Sequence, residues 1–388
     1  MSTSLIDGLN PPQREAVTTT EGPVLVLAGP GSGKTRVLTH RIAYLVGEMS
    51  IPREAILAVT FTNKAAGEMR ARAEALLGNP LRGLYLGTFH SICARILRRE
   101  GDHTPFGHDY HIYDTDDQVA VVQQALGELN IDPKKNNPRR ILGRISGAKN
   151  ELIGPDEFTA LDYFTEVVKR VYPRYQAILL DNNAMDFDDL LVQMVTLLRE
   201  NADIVRKYQR FFEIALVDEF QDTNTAQYAL VRLLAEPQQN VFVVGDEDQS
   251  IYAFRGADYR NVMRFRDDFP DARVILLEQN YRSTQIVLDA ARAVIDKNTH
   301  RTPKALFTDR GGGDLLTVYE AYDEREEAQY IMDQIERMMQ RQGKRFTDFA
   351  VMYRTNAQSR ALEEACIRQG IPYVLIGGVG FYKRREIR

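Results

Sequence analysis

The chain has 388 residues, of which 44% are hydrophobic and 27% are charged. This length predicts two or three globular domains, and the apolar content is sufficient for their cores. With 49 basic and 54 acidic side chains the formal net charge is −5, which excludes an overall positive field and leaves only local basic patches for a nucleic-acid partner.

Short apolar runs that end in small or acidic residues recur along the chain. In order they are PVLVLAG, AILAVT, LYLGT, IALVDE, VFVVGD, RVILLE, LTVYE and FAVMYR. Such runs are typical of buried parallel strands, and the longer amphipathic segments between many of them would supply the covering helices. The predicted fold class is therefore α/β.

Helical periodicity replaces this alternation between residues 91 and 211, for example in DDQVAVVQQALGELN. We interpret residues 91–211 as a helical insertion in a first α/β domain, which consists of residues 1–90 and 212–278. The alternation then resumes, and TDRGGGD predicts a loop before two more strands. Residues 279–388 are accordingly predicted to begin a second α/β domain.

The segment VLVLAGPGSGKTRVLTHRI combines a strand, a glycine-rich turn and a helix, as in a phosphate-binding loop. Backbone N–H groups of such a loop surround the phosphates, which assigns Gly31, Ser32 and Gly33 to the nucleotide. Lys34 would reach the terminal phosphates, and Thr35 would bind Mg²⁺. Alanine replaces the first glycine of the usual pattern. We therefore predict ATP and Mg²⁺ as cofactors.

An acid pair follows another predicted strand, in IALVDEFQD. Asp218 can bind Mg²⁺, and Glu219 can polarise the attacking water. An isolated pair of this kind is usually only a solvated strand end. Because this one follows a phosphate loop at a domain-scale distance, it favours hydrolysis over transfer to a small acceptor.

The segment VVGDEDQSIYAFRG joins polar and aromatic side chains. Gln249 would contact the γ-phosphate or its attacking water, while Tyr252, Phe254 and Arg255 follow within a few residues. Aromatic side chains often belong to a core. Their alternate spacing beside a polar cluster favours an exposed platform on which bases of a single strand stack.

Nine motifs in order resemble the UvrD/PcrA/Rep family of superfamily 1 DNA helicases, and the similarity covers essentially the whole chain. They are LNPPQREAV, AGPGSGKT, TFTNKAAGEM, GTFHSICARIL, DFDDLL, LVDEFQDTN, GDEDQSIYAFRGAD, LEQNYRST and YRTNAQSR. The resemblance implies two RecA-like domains whose closure on ATP moves a single strand, with 3′-to-5′ polarity. It also implies single-stranded DNA and single-strand/duplex junctions as ligands, and DNA repair or replication as the setting.

The resemblance assigns further nucleotide contacts. It implies that Gln13 recognises adenine, that Arg36 lies against the nucleotide and that Tyr281 stacks on the base. Arg282 resembles the arginine that reaches the γ-phosphate from the second domain. The predicted catalytic residues are thus Lys34, Glu219, Gln249 and Arg282.

The resemblance also assigns the contacts with single-stranded DNA. The family usually has tryptophan at the position of Phe254, and this chain has none. Phenylalanine still stacks but over less area, so a weaker grip is expected there. The implied contacts are Phe61, Asn63, His90, Tyr252, Phe254 and Arg255 on the first domain, and Arg354 and Asn356 on the second.

A basic segment, PKKNNPRRILGRISGAKN, occupies residues 133–150 and contains no acid. Charge runs are usually solvated faces. In the helical insertion of a DNA motor, these cations would instead contact phosphates of the strand or of the duplex ahead, in a salt-sensitive and sequence-independent way.

The cysteines and the N-terminus indicate the cellular compartment of the protein. Cys93 and Cys366 match no metal-ligand spacing, and they predict reduced thiols rather than a disulfide framework. The first ten residues lack the features of a signal peptide, and no stretch approaches the ~18 apolar residues of a membrane helix. We therefore expect a soluble cytoplasmic protein without a membrane partner.

The end of the chain and its activity leave alternatives open. YVLIGGVGFYKRREIR resembles the point at which a large insertion interrupts the family's second domain, so we expect an N-terminal portion that binds ATP but unwinds poorly. The alternatives are a nucleotide-dependent DNA-binding or regulatory protein without motor activity, a kinase of a small substrate, and a helicase subunit of a recombination nuclease.

Overall fold

The computed structural model describes residues 5–236, 238–298 and 301–376, apart from the side chain of Arg255. These residues form two compact units, Met1–Gly313 and Asp314–Arg388. The strands, all in the first unit, are β1 (Val24–Ala28), β2 (Ile56–Thr60), β3 (Tyr85–Thr88), β4 (His111–Ile112), β5 (Ala184–Met185), β6 (Ile214–Val217), β7 (Val241–Gly245) and β8 (Arg273–Leu277). The helices of that unit are α1 (Pro11–Thr18), α2 (Lys34–Gly47), α3 (Asn63–Leu77), α4 (Phe89–Arg99), α5 (Thr115–Glu128), α6 (Pro138–Asn150), α7 (Tyr163–Asp181), α8 (Phe187–Glu200), α9 (Ala202–Phe211), α10 (Thr225–Ala235), α11 (Asn261–Asp268) and α12 (Gln285–Ile295).

Six parallel strands form the central sheet of the first unit, in the order β3-β2-β6-β7-β1-β8. They coincide with the first six apolar runs of the sequence, which confirms the α/β fold class and a RecA-like core. Every residue of β1 is buried, because α1, α2 and α3 cover one face of the sheet and α4, α8, α9, α10 and α11 cover the other. A parallel sheet covered on both faces requires such continuous apolar strands.

The predicted helical insertion divides between two cores. Helices α5, α6 and α7 bury their apolar faces against one another in a cluster of their own. Helices α4, α8 and α9 instead contribute to the core beneath the sheet, through side chains such as Ile96, Met194 and Tyr208. The boundaries of the insertion and of the second domain stay predictions.

The second unit contains α13 (Glu324–Gln342) and α14 (Ser359–Gln369), which pack through a small apolar cluster around Met332 and Cys366. The prediction of strands at LTVYE and FAVMYR is wrong for the structure: no strand occurs in the part of this unit that is described. Val318 is 95% exposed and Met352 is 92% exposed. A strand needs a paired neighbour for its backbone N–H and C=O groups, and these runs have none there.

Both cysteines are buried free thiols. Burial raises the pKa of the Cys93 thiol, which disfavours the reactive thiolate. Among the described residues, every helix is too short or too polar to cross a membrane.

Candidate functional site

The predicted chemistry converges at the carboxyl edge of the sheet in the first unit. The phosphate loop follows β1, and the acid pair follows β6. Residues 246–249, called the Gln249 loop below, follow β7. The segment with Tyr281 and Arg282 follows β8. Because the strands are parallel and adjacent, their carboxyl ends meet at one edge, where ligands of open α/β sheets bind.

Two glycines shape the phosphate loop. Gly31 has φ +67° and Gly33 has φ +93°, in the left-handed region that disfavours other residues. A Cβ on Gly31 would lie 2.8 Å from the Cβ atom of Arg282, and one on Gly33 would lie 2.8 Å from Nε2 of Gln13. Helix α2 begins at Lys34, directly after Gly33. The N–H groups in the first turn of a helix favour an anion, which is the arrangement that the phosphate-loop prediction requires.

Lys34 lies among acidic side chains beside this loop. Its Nζ atom is buried, lies 3.3 Å from Oε2 of Glu219 and forms no hydrogen bond with the described residues. Asp218 is buried as well, and burial together with the Glu219 charge raises its pKa to about 7. An ammonium group with free donors fits a phosphate oxygen.

Asp218 and Thr35 are the residues predicted to bind Mg²⁺, and among the described residues no group of three or more acidic, histidine or cysteine side chains forms a metal site. Asp218 accepts a hydrogen bond of 3.4 Å from Thr60, and burial followed by the Glu219 charge raises the pKa of nearby Asp222 to about 6. Thr35 is the second residue of α2. Carboxylate and hydroxyl oxygens are the ligands that Mg²⁺ prefers, and a cation would relieve the repulsion between these acids.

Glu219 has an unusual backbone conformation, and its side chain is hydrogen-bonded by Gln221, a residue of the LVDEFQDTN motif to which the sequence assigned no role. Glu219 has φ +47°, in the left-handed region, which is uncommon outside glycine. Gln221 is buried, and its Nε2 atom donates a 2.9 Å hydrogen bond to Oε2 of Glu219. The Oε1 atom of Gln221 accepts a 2.9 Å bond from the backbone N–H of Asp246. One amide thus joins the acid pair to the loop that precedes Gln249.

Gln249 lies on a short 3₁₀ turn, Glu247–Gln249. Its Nε2 atom donates a 2.6 Å hydrogen bond to Oδ2 of Asp246, a fully buried residue. The other carboxylate oxygen of Asp246 lies 2.8 Å from Nζ of Lys304. The γ-phosphate contact predicted for Gln249 stays a prediction, and Asp246 and Lys304 were not anticipated.

Gln13 fastens α1 to the phosphate loop. Its Nε2 atom donates a 2.8 Å hydrogen bond to the carbonyl of Ser32, while its Oε1 atom accepts one of 3.2 Å from the backbone of Asn10. The Oδ1 atom of Asn10 accepts a hydrogen bond from the Gln13 N–H, which completes the capping box of α1. Arg36 is exposed and donates a 3.1 Å bond to the carbonyl of Gly8.

The loop with Tyr281 and Arg282 contacts the phosphate loop within the same compact unit. The Tyr281 N–H donates a 2.9 Å hydrogen bond to the Gly31 carbonyl, and the Tyr281 hydroxyl accepts one of 2.8 Å from Asn10. Asn280, also missed in the sequence, donates to the Pro30 carbonyl and accepts from the Arg282 N–H. The two predicted nucleotide residues therefore lie beside the predicted phosphate site.

An aromatic cleft of about 400 Å³ lies nearby in the first unit. The rings of Phe61 and Tyr252 stack with centroids 5.3 Å apart and planes inclined by 17°. Phe254 lies 6.0 Å from the Tyr252 ring and is 74% exposed. His90, which also lines the cleft, makes a T-shaped contact with Phe187 at a centroid distance of 6.1 Å. Phe254 is exposed and Phe61 and Tyr252 are half-buried, so these rings are not core residues. The stacking of bases on them stays a prediction.

Helix α6 and the start of α8 supply a wall of this cleft that the sequence analysis missed. Asp188 lies there, and burial, followed by the charge of Asp186, raises its pKa to about 6. Burial lowers the pKa of His90, so its imidazole is neutral at neutral pH. Phe187 and Asp188 belong to the DFDDLL motif, which is the feature of the sequence that could have predicted this wall. The wall residues on α6 are Gly143, Ser146, Gly147 and Asn150.

Fewer basic side chains of residues 133–150 are free to contact DNA phosphates than the charge of the segment suggests. Lys149 is wrong as a phosphate contact, because its side chain is 1% exposed and paired with Asp186 and Asp189 at 2.6 and 2.8 Å. Arg139 pairs with Asp116, and Arg140 lies over the Phe164 ring. The remaining cations, Lys134, Lys135 and Arg144, are exposed.

Four predicted DNA contacts lie elsewhere or are not described. Asn63 is exposed at the start of α3. Arg354 and Asn356 are exposed in the second unit, where the Arg354 N–H donates to Gln358. The side chain of Arg255 and the chain end at residues 377–388 lie outside the described residues.

A phosphate loop beside an acid pair on a six-stranded parallel sheet defines a P-loop nucleotide-binding protein of the RecA-like class. Two family models match the chain, the UvrD/REP helicase N-terminal domain over residues 9–270 and the UvrD-like helicase C-terminal domain over residues 275–388. The chain belongs to the UvrD/REP helicase family.

Relatives with a described activity support the same family. The chain is 49% identical to the ATP-dependent DNA helicase PcrA of Bacillus subtilis over 390 residues, which cover 100% of this chain and 53% of that protein. For the PcrA proteins of Staphylococcus epidermidis and Leuconostoc citreum, the identities are 49% and 48% over 387 residues, covering 99% of this chain and 53% and 52% of theirs. The chain thus spans about half the length of the curated relatives it matches.

Proposed function

We propose that this chain is part of an ATP-dependent DNA helicase that moves along single-stranded DNA from 3′ to 5′. The observation that supports it most is the continuity of residues 246–254. Gln249 donates a hydrogen bond to Asp246, and the backbone N–H of Asp246 donates one to Gln221, which in turn bonds to Glu219. A few residues further on, Tyr252 and Phe254 line the aromatic cleft. Hydrolysis at one end of this segment would therefore alter base contacts at the other.

The roles of the side chains follow from their chemistry. Lys34 and the N–H groups of the phosphate loop bind the β- and γ-phosphates, while Arg282 adds positive charge in the transition state. Glu219 orients and deprotonates the attacking water, and Gln249 donates a hydrogen bond to it or to the γ-phosphate. Thr35 and Asp218 would hold Mg²⁺, which would supply positive charge to the phosphate oxygens. Tyr252, Phe254 and Phe61 stack on bases without reading their sequence.

The decisive experiment is ATP hydrolysis by this chain with and without single-stranded oligothymidine, beside a titration with a fluorescent ATP analogue. Turnover that DNA stimulates supports the motor. Nucleotide-dependent DNA binding without turnover, both in this chain and in any longer form of the protein, would support a regulatory role instead. Turnover that ignores DNA but responds to a metabolite would support a kinase.

We further propose that this chain alone binds ATP and single strands but unwinds duplexes poorly. Part of the catalytic arrangement in the family is expected beyond the half that the chain matches. Junctions of single and double strands are its proposed ligands, and repair or replication proteins its proposed partners. Unwinding of a tailed duplex by this chain would contradict the proposed defect.

Replacing Lys34 by alanine is expected to weaken ATP-analogue binding by about 10²-fold, the loss of roughly 3 kcal/mol expected for a charge-assisted contact. The Lys34 ammonium is buried beside the phosphate loop and forms no hydrogen bond with the described residues. Fluorescence titration measures the affinity, and Lys169→Ala, an exposed site on α7, is the matched control. Unchanged affinity would contradict the assignment of Lys34.

Replacing Tyr252 by alanine is expected to cost about 1–3 kcal/mol of single-strand affinity, because one stacking face is lost. The remaining ring of Phe61 also loses its stacked neighbour. Fluorescence anisotropy with labelled oligothymidine measures the change, and Tyr163→Ala, at a tyrosine that is 79% exposed, is the control. Equal affinity of the two variants would show that bases bind elsewhere.

A further inference from the structure

A short segment after α12, residues 301–304, binds three consecutive acids of the Gln249 loop. Arg301 donates two hydrogen bonds of 2.9 Å to Asp248. The Thr302 N–H donates one of 2.7 Å to Glu247. Lys304 lies 2.8 Å from Asp246 and 3.2 Å from Asp248. No family motif quoted from the sequence includes this segment.

The residues that follow this segment also pack against the phosphate loop. A Cβ on Gly29 would lie 2.3 Å from the side chain of Leu306. The backbone of Phe307 pairs with Glu278 and Asn280, in the loop that follows β8. Residues 301–307 therefore lie between the phosphate loop and the Gln249 loop, so a shift of one is transmitted to the other.

Asp246 is the point at which these contacts meet Gln249. Its Oδ1 atom lies 2.8 Å from the Lys304 ammonium, and its Oδ2 atom accepts the 2.6 Å bond from Gln249. Lys304 and Asp246 are both fully buried at their side chains. A buried carboxylate without its cation would repel neighbouring acids and rotate away. The direction in which the Gln249 amide points thus depends on Lys304.

We propose that Lys304 is a positioning residue for ATP hydrolysis, which orients Gln249 through Asp246 and couples it to the phosphate loop. This inference rests on the proposed function, since it assumes that the site hydrolyses ATP. Lys304 does not contact the nucleotide in this proposal. Its removal should therefore lower kcat while nucleotide affinity persists.

The test is a double-mutant cycle with Lys304→Gln, Gln249→Ala and the combined variant. We expect Lys304→Gln to lower kcat by about 10²-fold, as for a misplaced catalytic group, with the affinity for a fluorescent ATP analogue nearly unchanged. In the Gln249→Ala background the same change should have almost no further effect, because the group it positions is gone. Additive losses would overturn the proposal. Lys304→Arg, which keeps the charge, should restore part of the rate.

Hydrogen exchange of the peptide covering residues 245–256 gives a readout that does not need turnover. We expect faster exchange there in Lys304→Gln, measured well below its thermal midpoint, and no change in α3. Arg301→Gln, which leaves Lys304 in place, should give a smaller increase and serves if Lys304→Gln does not fold. Lys297→Gln, at an exposed lysine, is the matched control.

Failure of the positioning role and failure of the proposed function give different results. A wild-type chain without hydrolysis under any condition contradicts the proposed function, and exchange then decides the positioning role. Unchanged exchange in both Lys304→Gln and Arg301→Gln would overturn the inference, whatever the activity of the wild-type chain.

Discussion

Replacing Glu219 by glutamine is expected to slow ATP hydrolysis by about 10²–10⁴-fold, the usual contribution of a general base, while ATP stays bound. The amide keeps the size of the side chain but cannot accept the proton of the attacking water. It also removes the charge opposite Lys34, whose Nζ atom lies 3.3 Å away, so nucleotide affinity should hold or rise. Single-turnover hydrolysis of radiolabelled ATP, with and without oligothymidine, detects rates slow enough for the comparison.

The matched control is Glu213→Gln, at an exposed glutamate just before β6. It removes the same charge at the opposite end of β6 from the site, and the rate should equal that of the wild type. Hydrolysis that survives Glu219→Gln would indicate that Asp222 is the general base. Burial raises the pKa of Asp222 to about 6. Asp222→Asn would then be the variant that loses activity.

The features predicted correctly from sequence are those that local chemistry determines. The strand β1 needs five consecutive apolar residues because both its faces are covered, and the loop after it needs glycine where φ is positive. The aromatic platform also lies within one short segment, so Tyr252 and Phe254 could be placed together before the structure was known.

The features that were missed depend on residues distant in sequence. Lys304 is 58 residues from Asp246, and nothing near it marks it as part of the Gln249 loop. Lys149 was misjudged for the same reason, since its acids lie on α8 and a basic run looks solvated until its partners are known. The strand predictions in LTVYE and FAVMYR failed because a strand also needs a neighbour with which to pair.

Replacing Lys149 by methionine is expected to reduce the free energy of unfolding by about 3–5 kcal/mol, the usual cost of breaking a buried ion pair from one side. Its ammonium is paired with Asp186 and Asp189, and the Tyr175 hydroxyl donates a 2.8 Å bond to the same Asp186 oxygen. Methionine fills the space but leaves buried carboxylates without a cation. Urea unfolding followed by circular dichroism measures the loss.

The pH dependence of this loss separates charge from packing. Lys149 lowers the pKa of Asp186 and opposes the rise, to about 7, that burial and the Asp186 charge impose on Asp189. Without Lys149 the pKa of Asp186 rises above its unfolded value, and the pKa of Asp189, which is already above it, rises further. A carboxyl with a raised pKa destabilises the fold at pH values above its unfolded pKa, and this cost decreases as pH falls. The deficit of Lys149→Met should therefore be larger at pH 8 than at pH 5. Lys169→Met, at an exposed lysine of α7, should lose little stability at either pH. A loss of stability in Lys149→Met that does not depend on pH would mean that packing, not charge, holds α6 to α8.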